Sequence, residues 1–193
     1  MMPDRQQTVD AIRENVPEEL LTLDQWVLWR LVERDGKPTK KPYHTGGREA
    51  SSTDPATWAS FDDAAGVFLR DGFDGLGFVF TEHDPYTGID FDHHADGGAL
   101  DDWALERVNR LDSYTEFSPS GSGVHVIVRA SLPDGKGRKP GGLGLEMYDR
   151  GRFFTMTGRP LEGRNWLTIP ERQDAVDWLL AQLPKKEKAF STV

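Results

Sequence analysis

The sequence predicts an α/β chain of the α+β kind, with strands paired largely as antiparallel hairpins. Two observations predict it. Short runs rich in aromatic and β-branched residues recur, several of them split by tight turns of Asp, Gly and Pro. Between these runs lie stretches with apolar residues at helical spacing, such as 100–111, where Leu100, Trp103, Ala104, Val108 and Leu111 share a face.

Taken in order, Thr8 can cap a first helix running to about Val16, and Pro17 stops it. The run 26–32, with Trp26 and Trp29, reads as a strand. Asp35-Gly36 turns the chain, and the returning segment 37–44 carries Pro38 and Pro42, which belong at a sheet edge or in a loop. Ser60 and Asp63 resemble a capping box opening a helix to about Arg70. Strands at 76–80 and 89–92 flank the turn-rich 84–88 and are expected to form a hairpin. After the helix over 100–111, strands at 114–117 and 124–128 enclose a Ser/Gly/Pro loop. A flexible Gly-, Pro- and Lys-rich segment, 133–144, leads to a second expected hairpin, 145–148 with 152–156, turned at Asp149-Arg150-Gly151. The last helix covers 175–183. Residues 1–184 are expected to form one domain, and 185–193, with Lys185, Lys186 and Lys188, a tail or the start of a linker.

A chain of 193 residues with 37% hydrophobic content suits one compact domain and one active site. It contains no cysteine, so disulfides, thiolate zinc sites and cysteine nucleophiles are excluded. Metal binding would fall to carboxylates and histidines. No signal peptide is evident, and no run approaches the ~18 apolar residues needed to cross a bilayer, so the protein reads as cytoplasmic with no membrane partner. The net charge of −9 argues against bulk coating of nucleic acid. The charge is unevenly spread: between Asp54 and Glu116 fifteen acidic residues face three basic ones, whereas 136–164 holds seven basic residues against three acidic. A smaller basic group sits at Lys37, Lys40 and Lys41. Such runs also occur as plain solvated surface.

Asp90 and Asp92 lie two apart on an expected strand, so both side chains leave one face with Cα atoms about 7 Å apart. Two carboxylates on a half-buried face need compensation, and a pair of Mg²⁺ or Mn²⁺ ions supplies it. A solvated edge strand would carry the same motif. The loop Ser118-Pro119-Ser120-Gly121-Ser122-Gly123 runs into Val124-His125, where small residues let backbone approach a ligand and the Ser120 and Ser122 hydroxyls can hold phosphate oxygens. His125 would add a donor for a triphosphate, although a plain turn with a core histidine fits the same residues. Glu146, mid-strand between apolar neighbours, is the third metal-ligand candidate. Arg152 follows it as a phosphate-seeking guanidinium, unless the two simply pair on a surface hairpin. Lys40 and Lys41 could meet template or triphosphate.

Asp90-Phe91-Asp92, then Ser-Gly-Ser-Gly-Val-His ending at His125, then a later acidic strand residue, resemble in that order the motifs of archaeo-eukaryotic-type primase-polymerases, in the branch found in phages and plasmids. The segments Trp26 to Trp29, Lys40 to Tyr43, Thr57-Trp58 and Tyr114 to Gly121 look similar to that branch as well, so the resemblance covers roughly 23–159. It implies an RNA-recognition-like (RRM-like) antiparallel sheet joined to an N-terminal α/β unit, with the active site in the cleft between them. Asp90, Asp92 and Glu146 would bind two metal ions. His125, Ser120 and Ser122 would contact the incoming nucleoside triphosphate, and Arg152 and Lys41 its phosphates or the template. The implied partners are single-stranded DNA, nucleoside triphosphates and a replicative helicase domain or subunit.

Two other readings remain at this point. Asp92-His93-His94 resembles the Asp-His-His motif of certain metal-dependent phosphoesterases, although no further ligand set accompanies it. A noncatalytic DNA-binding module of the same fold is the other, and it would have no use for carboxylates aimed at phosphate.

Overall fold

Helix α1 (Arg5–Asn15) starts where the Asp4 carboxylate accepts the N–H of Gln6. Thr8, the expected cap, lies inside the helix with its hydroxyl bonded back to the Asp4 carbonyl. The computed structural model describes residues 4–161 and 167–184, so the expected tail at 185–193 and Arg164 lie outside the described residues. A short α2 (Glu18–Leu21) leads to β1 (Trp26–Arg34) and β2 (Lys37–Tyr43). Their hairpin closes through Asp35 and Gly36, both at positive φ as a tight hairpin turn requires. Ser60 caps α3 (Phe61–Arg70), its hydroxyl accepting the N–H of Asp63. Then follow β3 (Gly75–Phe80), β4 (Tyr86–Phe91), the two-residue β5 (Ala95–Asp96) and β6 (Ala99–Leu100), and α4 (Asp102–Leu111). The chain continues through β7 (Thr115–Phe117), β8 (Val124–Arg129), β9 (Leu145–Tyr148), β10 (Arg152–Met156) and α5 (Gln173–Ala181).

The result is a mixed α/β fold with two four-stranded antiparallel sheets, ordered β10-β3-β1-β2 and β7-β8-β4-β9. Both expected later hairpins are absent. β3 lies between β10 and β1, and β4 between β8 and β9, so each is a central strand with both edges taken and neither can pair with the other. Asp84 instead organises a sheet-to-sheet crossing, accepting the N–H groups of Thr81 and Tyr86. The turn at 149–151 likewise carries the chain from one sheet to the other. There Asp149 is drawn inward to accept the Leu132 N–H, and Gly151 bonds Phe80. The 133–144 segment, expected to be flexible, closes onto the open edge of β9 through reciprocal backbone bonds between Arg138 and Met147.

Alternation along the second sheet decides what faces what. Ile89, Phe91, Val124, Val126, Val128, Leu145 and Met147 form one face and pack with α4 and α5 into a core. The opposite face contributes Tyr86, Tyr114, Ile127 and Tyr148 to the larger core. That core also takes in Trp26, Leu28, Phe78 and Phe80 of the first sheet and the apolar sides of α1 and α3. Hydrophobic burial thus fixes the register of the second sheet, because a one-residue slip would exchange its two faces. Glu19 of α2 staples the helix to this sheet, binding Arg129, the Tyr86 hydroxyl at 2.7 Å and the Ile169 N–H at 2.8 Å. Among the described residues no helix is long and apolar enough to cross a membrane.

Candidate active site

The same alternation that sends the apolar residues toward α4 and α5 sends four ionisable ones the other way. Across the sheet Glu116 pairs with His125, His125 with Asp90, and Asp90 with Glu146, so one row of four strands carries them side by side. Asp90, His125 and Glu146 line a cleft of about 950 Å³ whose other walls come from β1, β2 and β10. Its cations are Arg34, Lys40, Lys41, Lys139 and Arg152.

His125 is almost fully buried, and its Nδ1–H donates to the Thr155 carbonyl on β10 at 3.0 Å. That bond fixes the tautomer: Nε2 is turned to Asp90, 3.8 Å from Oδ1. Burial pushes the Asp90 carboxyl above its ordinary range. Asp92 and Glu146 add to the rise, while His125 and Lys40 oppose it. Burial in turn lowers the Lys40 ammonium, and the attraction of Asp90 and Asp92 partly restores it. Burial would also raise Glu146, but bonds from Lys139 and from the Tyr148 hydroxyl at 2.8 Å hold it below the usual carboxylate range. Arg152 lies over the Tyr148 ring, 4.9 Å from its centroid, and makes no direct pair with Glu146.

Of the other expected site residues, Asp92, Ser120 and Ser122 stand apart from the cleft lining, while Lys41 belongs to it. Asp92 sits one step beyond β4, half exposed, with its N–H bonded to Gly144 at 2.6 Å. Ser120 and Ser122 bond each other at 2.8 Å in the loop between β7 and β8. That loop touches the chain just after Asp92, through the Ala95 N–H to the Ser122 carbonyl. Lys41 is spent on Glu49 at 2.5 Å, so Lys40 is the nearer cation to the carboxylates.

The donors suit a hard divalent ion in kind: partly buried Asp90 has two further carboxylates, Asp92 and Glu146, close enough to repel it. Among the described residues, however, no three such groups converge on a metal position, and Lys139 occupies Glu146. His94 does not belong to a metal set. Nδ1 bonds Asp101 at 2.7 Å, Nε2 bonds the Leu143 carbonyl at 2.8 Å, and the ring stacks on Trp103, so both nitrogens are used structurally. This removes a required ligand from the Asp-His-His reading.

Sequence reasoning missed Glu116. It is fully buried and accepts bonds from the Tyr114 hydroxyl at 2.7 Å and from the N–H groups of Thr157 and Gly158 at 3.0 and 2.9 Å. It thereby ties β7 to the end of β10, with Oε1 3.9 Å from His125 Nδ1. The available signal was period two, since Glu116 stands on the same strand face as Tyr114.

No protein-family model matches the chain. A curated DNA primase-polymerase of Nitratiruptor phage NrS-1 is 44% identical over 147 residues, 73% of this chain. The chain spans about one fifth, 20%, of that relative's length. Over this stretch the chain is similar to a phage-type primase-polymerase.

Proposed function

We propose that the chain is the catalytic part of a primase-polymerase that joins nucleotides on single-stranded DNA with two divalent ions, Mg²⁺ or Mn²⁺. The observation that carries this reading is the in-register row His125–Asp90–Glu146, backed by buried Glu116, facing a cleft rimmed with cations. Similarity to the phage primase-polymerase supports it. The order of the second sheet, with α4 between β4 and β7, supports reading that sheet as RNA-recognition-like.

Asp90, Asp92 and Glu146 would hold the ions. Mg²⁺ usually takes only one or two carboxylates and completes its shell with water and substrate phosphates, which suits carboxylates that form no closed cage. When bound, the ions activate the attacking oxygen and neutralise charge on the leaving group. The chain's own side chains position and exclude. His125, oriented by the Thr155 carbonyl, presents Nε2 to the triphosphate beside Asp90. Arg152, Lys40 and Lys41 offer donors to phosphate oxygens, and the Ser120 and Ser122 loop packs against the Asp92 turn. A replicative helicase, which opens the duplex and exposes template, is the partner this activity calls for, in a cytoplasmic setting.

Purified chain incubated with Mg²⁺ or Mn²⁺, single-stranded template and labelled nucleotides is expected to make product, with and without a primer. Asp90→Ala combined with Asp92→Ala is expected to abolish it. Synthesis persisting in that double variant would sink the metal assignment. DNA binding without product from the wild type would favour the noncatalytic module.

A further inference from the structure

A second cavity, about 550 Å³, opens between α1, β1, β3 and the loop after β7. Its floor is apolar: Trp29, Phe68, Phe73 and Met156 line it, each at most 7% exposed. The Trp29 indole is held in place. Its N–H donates to the Leu76 carbonyl at 3.1 Å, and the ring lies so close over Gly75 that a Cβ there would sit 2.6 Å from Nε1. Arg5 and Arg159 also line the cavity. Arg5 spends one donor on the Asp71 carbonyl and Arg159 one on the Ser118 carbonyl, which leaves further N–H groups on both five-donor guanidiniums. Asp74 lines the cavity too, but its Oδ2 is taken by the Leu31 N–H at 2.6 Å.

This cavity shares no lining residue with the catalytic cleft, yet the two are neighbours. Lys40 stands between them: its ammonium is 5.8 Å from the Trp29 ring centroid and lies in the field of Asp90 and Asp92. Pro119, from the serine loop, closes another side.

We propose that this cavity receives one unstacked nucleobase of the single-stranded nucleic acid on which the enzyme works, with Arg5 and Arg159 on the flanking phosphates. The inference rests on the strand-joining function proposed above. The volume suits one nucleotide unit, and small-molecule sites commonly run about 300–1,000 Å³. An apolar, aromatic-lined floor accommodates any base, and guanidinium is the group that pairs with phosphate through paired donors. Two guanidiniums match the single phosphate on either side of a nucleotide in a strand. A free triphosphate concentrates more charge than they offset, and the cleft already provides cations for it.

Binding of a fluorescent single-stranded oligonucleotide, measured by anisotropy in chelator without nucleotides, tests this apart from catalysis. Arg5→Ala with Arg159→Ala is expected to weaken binding about tenfold and to lower the salt slope by about 0.7 for each phosphate that is no longer neutralised. Thr8→Trp, which fills the cavity from a partly exposed helix position, gives similar weakening while its melting curve reports an intact fold. An abasic position walked along the oligonucleotide should reveal one place that costs the wild type about tenfold and Thr8→Trp nothing, in line with the stacking energy of one base. Variants that bind like the wild type, or a flat abasic profile, would overturn the proposal while leaving nucleotide joining intact. Removal of the abasic-sensitive position by free nucleoside triphosphate would assign the cavity to free nucleotide and also overturn it. A wild type that neither binds single strands nor makes product would instead defeat the proposed function.

Discussion

Gly123→Ala is the substitution for which the geometry makes the sharpest demand. An added Cβ would lie 2.3 Å from the Phe91 carbonyl oxygen and 3.1 Å from the Asp92 Cα. Carbon–oxygen contacts of this kind settle at about 3.3 Å or more, so about 1 Å must be found. Both obstructing atoms are backbone and belong to the strand end that carries Asp90 and Asp92, so no rotamer change relieves the clash. The serine loop and the carboxylate turn must move apart. A displacement of about 1 Å in a catalytic arrangement costs about 100-fold in rate, equivalent to about 2.7 kcal/mol of transition-state stabilisation. Overpacking of this kind costs about 1–3 kcal/mol in stability, and for a chain of this size about 2–4 °C of melting temperature per kcal/mol. The assay is kcat/KM for nucleotide incorporation beside a thermal melt, with Gly141→Ala, where a Cβ meets nothing within 4 Å, as the control. Incorporation within threefold of wild type in Gly123→Ala would refute the claim that the loop and the Asp92 turn are positioned by this close approach.

Glu116→Gln leaves the Thr157 and Gly158 N–H groups and the Tyr114 hydroxyl sharing a weaker acceptor inside the protein, and is expected to cost about 1–3 kcal/mol by chemical denaturation. Lys40→Met should lower kcat/KM about tenfold or more and Lys41→Met less than about threefold, because Lys40 lies in the field of Asp90 and Asp92 while Lys41 is paired with Glu49; equal effects would contradict this division. For Glu19, burial alone would raise the pKa, but the Ile169 N–H, the Tyr86 hydroxyl and Arg129 bring it below its ordinary 4.5. Its contribution to stability is therefore fully present above about pH 4.5 and is lost as pH falls through the lower folded value. Glu19→Gln should accordingly lower the melting temperature near neutrality and flatten its decline below pH 4.5, as followed by melting curves across acid pH.

Local chemistry announced most elements of the fold but not their partners. The Ser60 cap, the Asp35-Gly36 turn and the proline-bearing edge strand β2 stand where residue types place them, because capping, positive φ and a missing N–H act within a few residues. The expected hairpin of β3 with β4 failed for the converse reason. A turn such as 84–88 brings two strands near each other, but pairing is decided by which edges stay free, and β3 and β4 each lose both edges to strands distant in sequence.

The candidate site shows the same division of information. Asp90, His125 and Glu146 were recognisable singly from motif and position in a strand, but their adjacency depends on β4 entering between β8 and β9, which no local pattern encodes. Glu116 was hard to single out for that reason: period two puts it on the face of Tyr114, but on its own strand it is one acid in an acidic stretch, and only the register that sets it opposite His125 makes it part of the row. The serine loop went the other way. Its composition pointed to a ligand, whereas in the fold its hydroxyls bond one another and its glycine backbone abuts Phe91 and Asp92. Small residues permit close approach without specifying what is approached. Here they admit first the strand end that carries the carboxylates, which makes the loop a support for the site before it can serve as a contact for nucleotide.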